Sequence, residues 1–193
     1  MRASEDAIFQ SLREAILTRK LAPGTRLREI RLGEILGASR GNVRKALDRL
    51  SFEGLVAQEP NRGASVAQPT AQEAEDLFAA RKCIEVALAR MAATNLTPQA
   101  VKKLEKHIAR EQAARDKSAW AKAVALSGEF HTLIAEIAQN APLQRYLNDL
   151  VARESLIIQM FGTRQQDVCT QNEHADILKA LQSGDDDLIA RRI

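Results

Sequence analysis

Residues 39–53 read SRGNVRKALDRLSFE. Wound as a helix of about 3.6 residues per turn, this stretch sorts its side chains by type. Val43, Ala46, Leu47 and Leu50 fall on one side. Gly41, Asn42, Arg44, Lys45, Asp48 and Arg49 fall on the other, with Arg40 at the edge. One side is aliphatic and seeks a core. The other is mostly basic and polar, which in an isolated helix marks an ordinary solvated face.

The flanking sequence gives that face a context. Ser39 is a favourable N-cap for the helix, and Gly54 ends it. Just before it, residues 30–36 read as a short helix that stops at Gly37, a favourable C-terminal cap. Further upstream, Pro23-Gly24 breaks the chain after a helix over residues 4–19. Its apolar face is Ile8, Phe9, Leu12 and Ile16, and its start carries Ser4, Glu5 and Asp6. Downstream, residues 55–59, a Pro60-Asn61-Arg62-Gly63 turn and residues 64–67 read as a small β-hairpin.

A short helix, a glycine turn, a basic-faced helix and a hairpin with Arg62-Gly63 at its tip form a helix-turn-helix followed by a wing. The second helix has the size that enters a DNA major groove, where Arg binds guanine bidentately and Asn reads adenine. The wing tip can bring Arg62 to a phosphate or into the minor groove, and Gly63 lets the backbone come close. Charge follows the same division. Residues 1–69 hold 12 Lys and Arg against 8 Asp and Glu, a net +4, while the whole chain carries +3. A basic head on a near-neutral body suits a molecule whose head meets a polyanion.

Composition narrows the rest. Hydrophobic residues make up 45 % and charged residues 27 %, the mix of a globular protein rather than a disordered chain. Aromatics are only 4 %, and Ala and Leu dominate, which favours helices packed on helices. The sequence has no apolar run of membrane-spanning length and no secretory h-region, so no membrane partner and a cytoplasmic location are expected. Cys83 and Cys169 lie far apart with no metal spacing and no activating neighbours, and read as free thiols. HExxH, nucleophile-elbow and Gly-rich phosphate-loop motifs are missing, which speaks against an enzyme.

After a Gln68-Pro69-Thr70 linker the chain reads as helical to its end. Thr70-Ala71-Gln72-Glu73 is a capping box that opens a helix to about residue 95. Further helices are expected from Thr97-Pro98, over residues 119–138, from Pro142 to about residue 162, and over residues 165–182, with Gly184 closing the last. The chain then stops within a starting helix, so a truncated C-terminus is expected. The fold class is thus mainly α. Residues 1–69 are read as a winged helix-turn-helix, and residues 70–193 as an all-α antiparallel bundle.

Within that bundle several polar residues sit where apolar ones belong. Arg81 lies inside a stripe of Leu77, Ile84, Leu88 and Met91, and Glu154 inside one of Leu143, Leu147, Leu150, Ile157 and Phe161. A charge so placed costs several kcal/mol unless it is paired. Either Arg81 and Glu154 pair with each other, or Arg81 binds the carboxylate of a metabolite, which its planar fork suits. His174 falls on a stripe with Ile177, Leu178 and Leu181, and His131 on a face with Ser127, Ile134 and Ala138. A lone inward His is usually a hydrogen-bonded core residue, but two on separate helices point to a site. His107 reads as solvent-exposed, and Trp120 as a core residue.

The stretch from Leu21 to Val66 closely resembles the winged-helix domain of the GntR family. The matching pieces are Pro23-Gly24, Leu36-Gly37-Ala38-Ser39-Arg40, Val43-Arg44, Ala46-Leu47, Leu50, Glu53-Gly54-Leu55-Val56, and Arg62-Gly63 with Val66. The resemblance implies DNA contacts by Arg40 and Arg44 and a wing contact by Arg62 and Gly63. Gly41-Asn42 departs from the family, which commonly has Thr or Ser followed by Pro there. From Glu73 onward the chain is similar to the FCD effector domain of the FadR-type subfamily, through Leu77, Arg81, Glu85, Glu129-Phe130-His131, Glu173-His174, Ile177-Leu178, Ala180-Leu181 and Gly184-Asp185. Many members of that subfamily bind a divalent metal through one Asp and three His. Here Ser127 stands at the Asp position, and only His131 and His174 match the histidines, so at most a weak Zn or Ni site is implied.

Taken together, the expected molecule is a homodimeric, ligand-controlled transcription regulator, most simply a repressor, bound to double-stranded operator DNA. Its DNA-binding candidates are Arg40, Asn42, Arg44, Lys45, Arg49, Arg62 and Gly63. A small organic acid is the expected effector, with Arg81, Ser127, His131, Glu154 and His174 as its candidate residues. The alternatives are a dimer whose helical part senses nothing, a metal-dependent sensor, and a metal-assisted hydrolase using His131 and His174.

Overall fold

A computed structural model describes residues 3–18, 20–60, 62–161 and 173–193. Contacts divide the chain into two units. Of the described residues, one unit comprises those up to 70 together with 156–161, and the other those of 71–155 together with 173–193. Six residues near 160 therefore group with the first unit.

The first unit opens with α1 (Glu5–Leu17), whose N-terminus is capped by Ser4 Oγ accepting from the Ala7 N–H at 3.2 Å. Next come β1 (Arg26–Leu27), α2 (Glu29–Leu36) and α3 (Arg40–Phe52). The hairpin is β2 (Val56–Glu59) and β3 (Gly63–Val66). Gly37 joins α2 to α3 at φ +60°, a left-handed conformation that a side chain would strain. Ser39 Oγ then accepts from the Asn42 N–H and caps α3. The aliphatic sides of α1 and α3 close on each other, burying Ile8, Phe9, Leu12 and Ile16 with Val43, Ala46, Leu47 and Leu50. Burial of each of these larger side chains is worth about 1.5–3 kcal/mol.

The wing has three strands rather than the two expected. β1 pairs antiparallel with β3, giving the order β1-β3-β2, with Arg26 opposite Ser65 and Val56 opposite Val66. A two-residue strand carries no alternation that a sequence reading can detect.

The second unit holds α4 (Ala71–Thr94), α5 (Pro98–Asp116), α6 (Trp120–Ala138), most of α7 (Ala141–Phe161), α8 (Glu173–Ser183) and α9 (Asp186–Arg192). The expected helix over residues 165–182 is seen from Glu173, and its first eight positions lie outside the described residues, as does Cys169. α6 packs against both α4 and α5. Leu88, Ala92, Leu104, Phe130, Ile134, Leu147, Ile177 and Leu181 belong to the core. Gly128 lets α7 come close to α6, since a Cβ there would meet Val151 Cγ1 at 2.7 Å. Trp120, expected in the core, is half-buried at the first turn of α6.

Candidate nucleic-acid interface and a buried charged cluster

α3 presents two different flanks to solvent. At roughly 100° per residue, Arg40, Arg44 and Asp48 turn to one side of the outward face, and Asn42 and Arg49 to the other. On the first flank a groove of about 1320 Å³ runs between α2, α3 and the wing. Arg40, Arg44, Arg62 and Gly63 all line it. Arg26, Arg28 and Arg31 line it too; they lie outside α3, so the periodicity of that helix alone does not point to them. Acidic side chains are interleaved, with Glu29 hydrogen-bonded to both Arg40 and Arg44. Those bonds, first from Arg44 and then from Arg40, hold the Glu29 carboxyl below its ordinary range.

The wing is tied to the helix it flanks. Gln58 Nε2 donates to Asp48 Oδ1 at 2.9 Å, and Arg26 donates to the Arg62 carbonyl. At the tip, Arg62 pairs with Glu59 at 3.2 Å and remains largely exposed.

Three of the predicted DNA-binding residues do not line the groove. Arg49 donates to Glu5 (3.2 Å) and Asp6 (3.0 Å) on α1, and its guanidinium stacks 4.0 Å over the Phe9 ring. Asn42 Nδ2 donates to the Ala3 carbonyl at 3.2 Å. Lys45 is exposed between the two flanks. Winding α3 alone gives one outward face, whereas in the folded unit α1 and the residues before it occupy one of its edges.

In the second unit, inward charges of α4, α6 and α7 meet. Arg81 pairs with Glu154, so the internal pairing weighed from the sequence is present. It also donates from Nε and Nη2 to Glu85 Oε1 at 2.8 and 2.7 Å. His131 Nδ1 lies 3.1 Å from the same Glu85 oxygen, but off the line of a hydrogen bond. Two buried carboxylates thus share one guanidinium. Burial pushes Glu85 upward, but His131 and Arg81 outweigh it and hold that carboxyl below its usual value. For Glu154 burial wins over Arg81, and its carboxyl is raised.

A second buried chain lies beside the first. His174 is stacked on Phe130 with ring centroids 4.1 Å apart, and its ring centre is 5.2 Å from that of His131. Its Nδ1 is 2.6 Å from Glu111, which also pairs with Arg115. Burial holds the His174 imidazole below its ordinary value, against the pull of Glu111. A groove of about 470 Å³ between α5 and α8 reaches Glu111, Arg115, His174 and Lys179.

His107 corrects the sequence expectation. It is buried, and its Nε2 donates to the Leu126 carbonyl at 2.8 Å. The inward stripe of α5 is Leu104, His107, Glu111 and Ala114, so half of it is polar and periodicity of apolar residues pointed elsewhere. Ser127 is half-buried one turn before His131. Cys83 is exposed and free. Among the described residues no three His, Cys, Asp or Glu side chains are grouped to hold a metal. Two imidazole nitrogens, His131 Nδ1 and His174 Nε2, are buried without a hydrogen-bond partner.

Residues 4–66 match the bacterial regulatory proteins of the gntR family, and residues 76–193 match the FCD domain. The chain belongs to the GntR family, with an FCD domain as its helical part. The HTH-type transcriptional repressor RspR of Escherichia coli K12 is 29 % identical over 185 residues, 95 % of this chain and 81 % of that protein. The Nta operon transcriptional regulator of Aminobacter aminovorans is 28 % identical over 131 residues, 68 % of this chain and 62 % of that protein. Among solved structures, E. coli McbR/YncC superposes with a TM-score of 0.82 at 21 % identity, covering 100 % of this chain and 92 % of that one. A putative GntR regulator from Rhodococcus sp. RHA1 gives 0.83 at 22 % identity, covering 97 % and 90 %. This GntR/FCD protein is a transcription regulator, and its relatives are regulators rather than enzymes. Regulators of this family bind operator DNA and generally dimerise. No described helix is long and apolar enough to cross a membrane.

Proposed function

We propose that this GntR/FCD protein is a cytoplasmic repressor that acts as a homodimer on a palindromic operator and is released by a small carboxylate metabolite. Residues 1–69 would bind DNA, and residues 70–193 would dimerise and hold the effector. The observation that carries the DNA reading is the groove in which Arg40 and Arg44, one turn apart on α3, stand with Arg62 and Gly63 of the wing. Two guanidiniums spaced by a helical turn suit the base edges of a major groove, and the wing suits the neighbouring backbone.

The test uses duplexes selected by the protein from a randomised library. Arg44→Ala should lower affinity for the selected duplex far more than for a random duplex of equal length. Equal losses on both would reduce Arg44 to a phosphate contact.

The effector reading rests on the buried cluster. A carboxylate arriving at Arg81 would displace Glu154. Since burial already raises the Glu154 carboxyl, that group can take up a proton, and the exchange adds no net buried charge. The ligand then shifts the population of dimer states only by its differential affinity for them. A thermal-shift panel of small carboxylic acids should find a stabilising acid whose effect is lost in Arg81→Ala. No shift with any acid would favour a helical part that only dimerises.

A divalent metal is the second reading, favoured by the unpartnered, buried Nε2 of His174. Glu111 on Nδ1 fixes that ring in the way carboxylates orient metal-bound histidines. His131 and His174 would be the ligands, and a stable site needs at least one further donor. Zinc or nickel chloride in the same thermal-shift assay, repeated with His174→Ala, tests it.

A further inference from the structure

We propose that Glu29 is a positioning residue that sets the sequence specificity of Arg40 and Arg44. The inference rests on the reading of the groove as the DNA face. Glu29 occupies the first turn of α2, where the helix N-terminus favours a carboxylate. Its side chain is only 23 % exposed, while the two guanidiniums above it are 65 % and 59 % exposed. Arg40 Nε donates to Oε2 at 2.6 Å. Arg44 Nε donates to Oε1 at 2.8 Å, and its Nη2 to Oε2 at 3.2 Å. One sunken carboxylate therefore holds two exposed arginines, each through its Nε edge.

That mode of attachment leaves chemistry on the outer ends. A guanidinium bound through Nε still offers the end-on fork of Nη1 and Nη2 hydrogens, the pair that meets guanine O6 and N7. Free arginines on a helix surface wander among rotamers and lose that freedom on binding. Arginines already braced from below lose less, and only a base edge at the braced position fits the fork. The carboxylate has a second effect. It cancels one of the two positive charges for a phosphate approaching from any direction, which weakens sequence-independent attraction. Bracing strengthens the chosen site, and partial neutralisation weakens the rest.

Alternative roles make different forecasts. Were Glu29 only a first-turn charge on α2, its removal would lower the melting temperature and leave DNA preference alone. Were it only a neutralising charge, any acidic residue would serve.

The experiment compares wild type, Glu29→Gln, Glu29→Asp and Arg44→Ala by fluorescence anisotropy. The probes are the duplex the wild type selects from a randomised library and a random duplex of equal length, each at several salt concentrations. Melting curves establish folding. Glu29→Gln should lower the selected-to-random affinity ratio by roughly tenfold or more, the discrimination carried by one bidentate arginine contact. On the random duplex its log–log salt slope should steepen by about 0.9, one additional neutralised phosphate. Glu29→Asp, which keeps the charge but is too short to brace both arginines, should lose the ratio while keeping the wild-type salt slope. An unchanged ratio in Glu29→Asp overturns the positioning role, as does an unchanged ratio in a folded Glu29→Gln; if Glu29→Gln fails to fold, the aspartate variant decides. If Arg44→Ala leaves both affinities at wild-type values, the DNA-face reading itself fails, a result distinct from the failure of Glu29 alone.

Discussion

His174 Nδ1 lies 2.6 Å from the Glu111 carboxylate, and both side chains are only 4 % exposed. Burial comes first among the forces on this imidazole and lowers its pKa below the ordinary 6.5. The unfolded chain therefore binds the His174 proton more readily than the folded one. Stability from this residue is complete above about 6.5 and is lost as pH falls from there toward the folded value. Glu111 acts at lower pH in the same direction. Burial raises its carboxyl, but the bonds from His174 and Arg115 win and lower it, so its contribution goes as pH falls below the ordinary 4.5. The melting temperature should drop between pH 7 and 5.5, and His174→Gln should flatten that part of the profile. A wild-type melting temperature unchanged over that interval would contradict the assignment.

Arg81 stands between Glu85 and Glu154, its side chain 9 % exposed. Its removal leaves two buried carboxylates facing each other. Arg81→Met should cost about 3–5 kcal/mol in urea unfolding, the range for breaking a buried ion pair from one side. Glu154→Gln should act oppositely. Burial raises the Glu154 carboxyl, so it weakens the fold progressively as pH rises above 4.5. The glutamine variant should match or exceed wild-type stability at pH 8 and lose that advantage near pH 5. A Glu154→Gln protein less stable than wild type at pH 8 would show that the pair is worth more than its desolvation.

Much of the first unit is legible in the sequence because its signals are local. Ser4 and Ser39 cap helices, Gly37 makes a turn, and Ile8, Phe9, Leu12 and Ile16 form a clean stripe. What failed depended on neighbours. β1 exists only because β3 lies beside it. Arg49 is held by Glu5, Asp6 and Phe9 of α1 and does not line the groove, which no winding of α3 alone can reveal. His107 and Glu111 were missed since a buried polar stripe looks like a solvated one until its partners are known. The misfit of Arg81 and Glu154 among apolar residues was a signal, and the structure pairs them.

Gly128 on α6 faces Val151 on α7 closely enough that an added methyl would sit 2.7 Å from Val151 Cγ1. Gly128→Ala gains about 1 kcal/mol of helix propensity. Overpacking against a stiff, β-branched neighbour costs about 1–3 kcal/mol and should dominate. Urea unfolding should show net destabilisation. Adding Val151→Ala to Gly128→Ala should cost less than Val151→Ala costs alone, because the two sites share one space. Additive losses would place the clash elsewhere.

Arg44 and Arg49 stand five residues apart on one helix, yet their guanidiniums have different employers. Arg44 is held by Glu29 at the groove, whereas Arg49 is held by α1 through two carboxylates and a ring. The hydrogen bonds it donates to Asp6 and Glu5 raise the Arg49 pKa further, so it stays charged throughout the accessible pH range. Asp6 is exposed and Glu5 half-buried, so salt screens the ionic part of the contact, but the stacking on the buried Phe9 survives. Arg49→Ala should therefore lower the melting temperature slightly, with little dependence on salt. Its effect on DNA should be the same for selected and random duplexes, since α1 holds it apart from the groove that Arg44 lines. Arg44→Ala should do the reverse, with an unchanged melting temperature and a diminished preference for the selected duplex. A loss of preference in Arg49→Ala as large as in Arg44→Ala would mean that Arg49 leaves α1 when DNA arrives, and that the two flanks of α3 act as one reading surface.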